Sequence, residues 1–154
     1  MGYGLLKFFV PEDIFANGGE YGVCVTVLHP GVSVAKGFFI EFILTSVLIT
    51  VICGMWDPRN RNNSDSTPLR IGFAVAAISI AGGPFTDASM NPARTLGPAA
   101  WNWRWENQWL YWVAPLSAGL FASLFYKFVF WRQHPNDQKL PETLPLSLTP
   151  KTEL

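Results

Sequence analysis

A near-continuous apolar run over residues 37–56 sets the strongest limit on what this chain can fold into. It has the length of about 20 residues that an α-helix needs to cross the hydrocarbon core of a bilayer. The chain is also poor in charge, because only 14% of its residues are charged, against roughly 25% in an average soluble domain. Both features predict an all-α membrane protein.

One charge, Glu41, interrupts this run and admits two interpretations. In the first interpretation Glu41 lies near the water interface, one turn into the helix, where its charge costs little free energy and has no function. Facing the protein interior, it would accept hydrogen bonds from backbone N–H groups. We favour the second interpretation, since a carboxylate inside a membrane span is a functional candidate by default.

Two further apolar segments follow in the chain. Residues 69–81 are rich in small side chains and short for a full span, and the Gly-Gly-Pro sequence at 82–84 predicts that an extended loop follows them. Short, interrupted segments of this kind mark pores or binding sites in membrane proteins. Residues 109–131 form the third span, and the tryptophan-rich stretch 101–109 before it is typical of a membrane–water interface.

The ends of the chain and its loops set the predicted orientation. Residues 1–10 are apolar but about half as long as a span, so they form either an interfacial segment or, as we favour, the end of a truncated membrane helix. Residues 11–33 are expected to be an extracellular loop. The most basic short loop, residues 57–70, carries three arginines: Arg59, Arg61 and Arg70. The positive-inside rule therefore places this loop in the cytoplasm of a multi-pass protein, for which we expect the plasma membrane.

The proline-containing tail, residues 133–154, is predicted to be disordered and cytoplasmic. The net charge of zero and the lack of a basic stripe argue against a nucleic-acid partner. Cys24 and Cys53 lie in unlike contexts and no metal-ligand spacing is present, so we predict no disulfide framework, metal or cofactor. No catalytic triad, pair of carboxylates or phosphate loop is visible, which argues against an enzyme.

Residues 88–97 have the pattern of a short helix that begins between two apolar segments. Asn91 is a favourable N-cap, and Pro92 suits the first helical position, where its missing N–H costs nothing. Arg94 would lie on the first turn. If the helix begins inside the membrane, its free amides and the positive end of its dipole become functional parts.

The four residues Asn91-Pro92-Ala93-Arg94 resemble the second NPA box of the aquaporin family. A tripeptide alone is a weak signal, but the surrounding segments are similar to the family as well. Residues 37–42 resemble the start of its fourth membrane helix with a buried glutamate, residues 68–76 its fifth helix, residues 109–116 its sixth, and residues 1–10 the end of its third.

The resemblance implies the second half of the aquaporin inverted repeat over residues 34–132: three membrane helices plus a re-entrant half-helix, after the truncated helix. It implies a passive channel for water and small uncharged solutes. In such a channel Asn91 donates its amide N–H to a passing solute oxygen, while carbonyls of residues 86–90 act as acceptors. Arg94 matches the arginine of the outer constriction, and Glu41 would support the loop by accepting its amides.

Two small residues at the constriction bear on which solute passes. Water-selective members have a histidine twelve residues before the NPA asparagine, where this chain has Ser79, and the position three residues before it is Ala88. A wider, less polar constriction favours glycerol or urea and resembles the insect entomoglyceroporins. Thr95, which replaces an aspartate of many glycerol channels, and the pair Tyr111-Trp112, which resembles water channels, favour a water-selective aquaporin, which stays an alternative. The remaining predicted pore residues are Ser89, Pro92 and Ala93.

The first half of the family's repeat, with the first NPA box, is absent from this sequence. We therefore expect a half-channel that is unable to conduct alone. The alternative is a truncated, non-conducting subunit that modulates the assembly of full-length aquaporins. Because the family forms tetramers, the expected partners are membrane lipid and either further copies in a homotetramer or full-length subunits.

Overall fold

The computed structural model describes residues 2–16, 24–63 and 65–130, and within these ranges the chain contains helices and no strand. The all-α prediction is confirmed for this part of the chain. The elements in order are α1 (Gly2–Phe9), α2 (Glu12–Ala16), α3 (Val34–Trp56), a 3₁₀ turn (Pro58–Asn63), α4 (Thr67–Thr86), α5 (Pro92–Asn102) and α6 (Leu110–Val129).

Three of these helices, α3, α4 and α6, are long and apolar enough to cross a membrane, with 23, 20 and 20 residues. A helix of 20 residues is about 30 Å long, which matches the hydrocarbon core of a bilayer. Large apolar side chains cover their outer faces: Ile80 on α4 is 78% exposed and Phe128 on α6 is 80% exposed. Such a surface is suited to lipid rather than water, so the predicted three-span membrane protein is confirmed.

The extended loop predicted at residues 82–84 is wrong, because α4 continues without a break to Thr86 and contains Pro84. Proline inside a helix loses one backbone hydrogen bond, but in an apolar environment helix is the conformation that satisfies the remaining backbone groups. The helix ends at Asp87, which adopts left-handed backbone angles (φ 59°) and donates its N–H to the carbonyl of Gly83. The second apolar segment is therefore a full span rather than a short one.

The segment over residues 11–33 also differs from the single loop that we expected. Its first part is the short helix α2, Glu12–Ala16. The acidic residues Glu12 and Asp13 lie in its first turn, where negative charge interacts favourably with the helix dipole. The later part, residues 25–29, has no regular secondary structure. The predicted disordered tail, residues 133–154, lies outside the described residues.

Helix α3 is the central element, since both α6 and α4 pack against it. The close approach of α4 is made at Gly82, where a methyl group of Leu44 on α3 fills the space that a Cβ atom would take. Helix α6 buries small residues at a spacing of four, which places them on one face: Ala114, Ala118 and Ala122. Small residues at such contacts let helix backbones approach closely in lipid.

The ends of α3 and α6 are tied together by the buried carboxylate of Asp57, which is 4% exposed. Its Oδ1 accepts from the backbone N–H and Nε–H of Arg59 at 2.9 and 2.8 Å. Its Oδ2 accepts from Nη2 of Arg59 at 2.6 Å and from the hydroxyl of Tyr126 at 2.8 Å. Nη2 of Arg59 also donates to the carbonyl of Phe130 at 2.9 Å. Hydrogen bonding to the Arg59 guanidinium holds the pKa of Asp57 well below its usual range.

We predict that Asp57→Asn destabilises the protein at neutral pH and has less effect in acid. The folded-state pKa of Asp57 is lowered, so its stabilisation is present above the unfolded pKa of about 4 and is lost as the pH falls through the folded value. Because Arg59 is half exposed, the expected loss at pH 7 is about 1 kcal/mol of unfolding free energy.

The measurement is denaturant unfolding in detergent at several pH values, with the exposed Asp65→Asn as the control for loss of one charge. A difference between the native chain and Asp57→Asn that grows below pH 4 would contradict the assignment.

Candidate functional site

The loop between α4 and α5 has an unusual backbone that its surroundings must hold in place. Asp87, Ala88 and Met90 all adopt positive φ angles of 59°, 44° and 52°. Non-glycine residues in this region are strained by about 1–3 kcal/mol each and persist only where the surrounding structure enforces them. Two of the residues expected to form the pore, Ala88 and Ser89, lie in this strained loop.

Glu41 of α3 supplies the main support. Its side chain is 0% exposed. Oε1 accepts from the backbone N–H of Ser89 at 2.8 Å and from the hydroxyl of Thr86 at 2.7 Å. Oε2 accepts from the backbone N–H of Met90 at 2.8 Å. A carboxylate is suited to this role because it only accepts hydrogen bonds and has room for several donors.

Thr86, the last residue of α4, connects the same loop to α6. Its hydroxyl accepts from the N–H of Ala88 at 3.3 Å, and its carbonyl accepts from the hydroxyl of Tyr111 at 3.2 Å. Thr86 and Tyr111 are both fully buried. The carbonyl that we expected as the first acceptor for solute is thus already bonded to the protein. Three helices, α3, α4 and α6, converge on this one loop.

A third support comes from the irregular segment before α3, residues 25–29, which we call the strap. The N–H of Val27 donates to the carboxylate of Asp87 at 2.8 Å, and the N–H of His29 donates to the carbonyl of Phe85 at 3.0 Å. Nothing in the sequence of residues 25–29 predicts either contact, because the partners lie about 60 residues further along the chain. The strap therefore binds the end of α4 and the first loop residue, whereas Glu41 binds the loop amides that follow.

The helix α5 begins as the sequence predicts. Asn91 has extended backbone angles and its Oδ1 accepts from the N–H of Ala93 at 2.9 Å, which confirms it as the N-cap. Pro92 occupies the first helical position. With 11 residues, α5 is about 16 Å long, half of what a bilayer crossing needs. At the other end of α5, the side-chain amide of Asn102 donates to the hydroxyl of Tyr3 on α1 at 2.7 Å.

The predicted site residues divide into an exposed set and a buried set. Asn91, Ala93 and Arg94 lie exposed on the first turn of α5, and Ser79 is half-buried on α4, seven residues before its end. Ser89 is buried, and its hydroxyl donates to the carbonyl of Asn91 at 3.0 Å. Ala88 is only 2% exposed, so its methyl group does not share the open surface of Asn91 and Arg94.

Electrostatically, the exposed part of the site is positive. The first turn of α5 carries the positive end of the helix dipole. The guanidinium of Arg94 stands on the same turn. The two acidic side chains described at the loop are engaged in hydrogen bonds: Glu41 is buried and accepts loop amides, and Asp87 accepts the N–H of Val27. This arrangement can donate hydrogen bonds to a neutral solute and repel a cation.

A membrane protein with a buried carboxylate that supports a re-entrant loop and an exposed half-helix is the class that this fold and site define. Comparison with known sequences agrees with that class: the model of the Major intrinsic protein family matches residues 1–126. Similar proteins include Aquaporin TIP1-1 of Arabidopsis thaliana, 41% identical over 130 residues that cover 84% of this chain and 51% of that protein. The chain belongs to the Major intrinsic protein family.

Matches to other relatives cover a similar share of this chain. Aquaporin TIP4-1 of Arabidopsis thaliana is 44% identical over 112 residues, which cover 72% of this chain and 45% of that protein. Aquaporin-4 of Rattus norvegicus is 35% identical over 130 residues, which cover 84% of this chain and 39% of that protein. The chain spans about half the length, or less, of these curated relatives. They are plant and mammalian proteins, so the resemblance to insect entomoglyceroporins stays a prediction.

We predict that Glu41→Gln lowers the unfolding free energy by about 1.5–3 kcal/mol, the range for a hydrogen bond to a charged group. The glutamine amide places a donor where the carboxylate oxygen received one, so at least one loop N–H loses its acceptor. Unfolding in detergent, followed by helical circular dichroism, measures the change. Glu106→Gln removes the same charge at an exposed position and serves as the control. Equal stability of the two variants would show that Glu41 does not support the loop.

Proposed function

We propose that this chain forms one half of a passive channel for water and small uncharged solutes. The observation that carries the proposal is the exposed first turn of α5, with Asn91 and Arg94, held in place by the buried carboxylate of Glu41. Membership of the Major intrinsic protein family supports it. The irregular loop before α5 is tolerated inside a membrane only where it is buried in protein or lines a water-filled space.

In this proposal Asn91 is the group that meets the solute at the start of α5. Its Oδ1 is bonded to the N–H of Ala93, so its exposed amide N–H groups are the ones that donate to a solute oxygen. The positive end of the α5 dipole lies at the same place and opposes the passage of protons and other cations. Neutral solutes with an oxygen acceptor cross, and charged ones are rejected.

Arg94 and Ser79 are proposed to set the size and polarity of the constriction. A guanidinium offers fixed donors and a permanent positive charge. The small side chain of Ser79 leaves room opposite it, which favours glycerol or urea. Because Ala88 is buried, Ser79 rather than Ala88 carries this argument.

The alternative of a water-selective channel rests on Thr95 and on the pair Tyr111-Trp112. Thr95 and Tyr111 are buried, whereas Trp112 is 40% exposed. Thr95 is 0% exposed, and Tyr111 donates its hydroxyl to the carbonyl of Thr86. The two buried side chains are not placed to touch a solute, and their hydrogen bonds give both a structural reason to be present. We therefore weigh Ser79 above them and propose an aquaglyceroporin of the kind that the insect entomoglyceroporins represent.

The second wall of the pore must come from another part of a membrane assembly, since Asn91 and Arg94 are on an open face of this chain. We propose that the chain associates with full-length subunits or with further copies in a homotetramer. The runner-up is a non-conducting subunit that modulates assembly. Residues 57–70 and the tail 133–154 are proposed to face the cytoplasm, and residues 11–33 the outside, in the plasma membrane.

Stopped-flow swelling of lipid vesicles that carry this chain tests the proposal directly. Water and glycerol gradients are applied separately, and empty vesicles set the background. We expect background flux from the chain alone and flux above background once it is reconstituted with a full-length relative whose own Asn–Pro–Ala asparagine has been disabled. Background flux in both preparations would contradict the channel and favour the modulating subunit.

We predict that Ser79→His reduces glycerol flux at least tenfold in the conducting preparation and leaves water flux within a factor of two. The imidazole narrows the constriction below the width of glycerol and adds a polar wall that water tolerates. The matched control is Ser123→His, which places the same side chain on an exposed position of α6. Equal glycerol flux in Ser79→His and the control would contradict the role of Ser79.

A further inference from the structure

We infer that Thr26, in the strap before α3, is a positioning residue for the start of α5. It acts through a chain of three buried hydroxyl groups that ends on the carbonyl of Asn91. The inference rests on the proposed function, because it assigns to the strap a part in setting the selectivity of the same constriction. The three hydroxyl groups belong to Thr26, Thr95 and Ser89.

The hydroxyl chain has one consistent direction. Thr26 donates from Oγ1 to Oγ1 of Thr95 at 3.0 Å, and Ser89 donates from Oγ to the carbonyl of Asn91 at 3.0 Å. Between them, Thr95 and Ser89 share a hydrogen bond. Each hydroxyl has one proton to donate, so Thr95 must be the donor to Ser89. Such chains polarise their members and strengthen one another in a low-dielectric interior.

The series of hydroxyl groups ends on the carbonyl of Asn91, which links it to the proposed solute site. The carbonyl of Asn91 also accepts the backbone N–H of Thr95, but at the long distance of 3.4 Å. The hydroxyl chain therefore supplies a second, shorter tie to the same carbonyl. Because Arg94 immediately precedes Thr95 in the first turn, a shift of that turn moves Asn91 and Arg94 together.

Burial makes the arrangement selective for a hydroxyl group at position 26. Thr26, Thr95 and Ser89 are all at most 3% exposed, so water cannot replace a missing partner without opening the loop. The strap keeps two other anchors, from Val27 to Asp87 and from His29 to Phe85. Loss of the Thr26 hydroxyl should thus loosen the start of α5 while the strap itself stays in place.

The test compares Thr26→Val, which removes the hydroxyl at nearly constant shape, with Thr26→Ser, which keeps it. Each chain is reconstituted in vesicles, and amide hydrogen exchange is followed by mass spectrometry in peptides covering residues 88–96. We expect about two- to tenfold faster exchange in Thr26→Val, the factor that corresponds to one buried hydrogen bond, and native exchange in Thr26→Ser. The control is Thr50→Val, which removes a threonine hydroxyl that bonds within α3 to the carbonyl of Ser46.

Native exchange rates in Thr26→Val would overturn the inference. Equally fast exchange in the valine and serine variants would also overturn it, because that result would mean that packing rather than hydrogen bonding positions the helix.

In the conducting preparation, Thr26→Val should lower the ratio of glycerol to erythritol flux at least twofold, and Thr26→Ser should restore it. An unchanged ratio would overturn the part in selectivity. If the native chain supports no flux in any preparation, the proposed function fails, and the exchange comparison still decides whether Thr26 positions the helix.

Discussion

The hydrogen bonds that Glu41 accepts inside the protein are the interaction on which the rest of the site depends. Beyond Asp87, the left-handed residues Ala88 and Met90 take the loop out of the helical pattern, so the amides of Ser89 and Met90 need acceptors outside the helix. Within an apolar environment each unpaired N–H is expensive. One carboxylate accepts two of these amides and the hydroxyl of Thr86. The first turn of α5 can be exposed because Glu41 holds the loop that precedes it.

The helix that carries Glu41 also ends at the second buried carboxylate, Asp57, so α3 organises both ends of the molecule. Helix α6 contributes one tyrosine hydroxyl at each of these two ends. Tyr111 near its start donates to the loop at Thr86, and Tyr126 near its end donates to Asp57. The two helices therefore pack along their apolar length and are fixed by polar contacts at each end. This division places the strained loop on a rigid frame, as a selective site requires.

The sequence predicts the elements better than their contacts. The length of the apolar runs reveals the spans, Asn91 before Pro92 reveals the start of α5, and a lone charge in an apolar run indicates an interior Glu41. The Gly-Gly-Pro sequence at 82–84 predicts a loop, but α4 continues through Pro84 because the apolar surroundings favour helix. The bond from Thr26 to Thr95 joins residues 69 positions apart, and no local pattern encodes such a pairing. The burial of the Ala88 methyl group likewise depends on contacts between residues far apart in the sequence.

The most direct measurement of the central claim is the amount of water at the start of α5 in a bilayer. A nitroxide attached at Ala93→Cys, in a Cys24→Ser and Cys53→Ala background, reports local deuterated water by electron spin echo modulation. A label at Ile80→Cys, on the lipid-facing surface of α4, gives the dry reference. We expect strong modulation at position 93 and weak modulation at position 80. Equally weak modulation at both positions would mean that the half-helix is buried in lipid and that the Glu41-supported loop does not face a water-filled path.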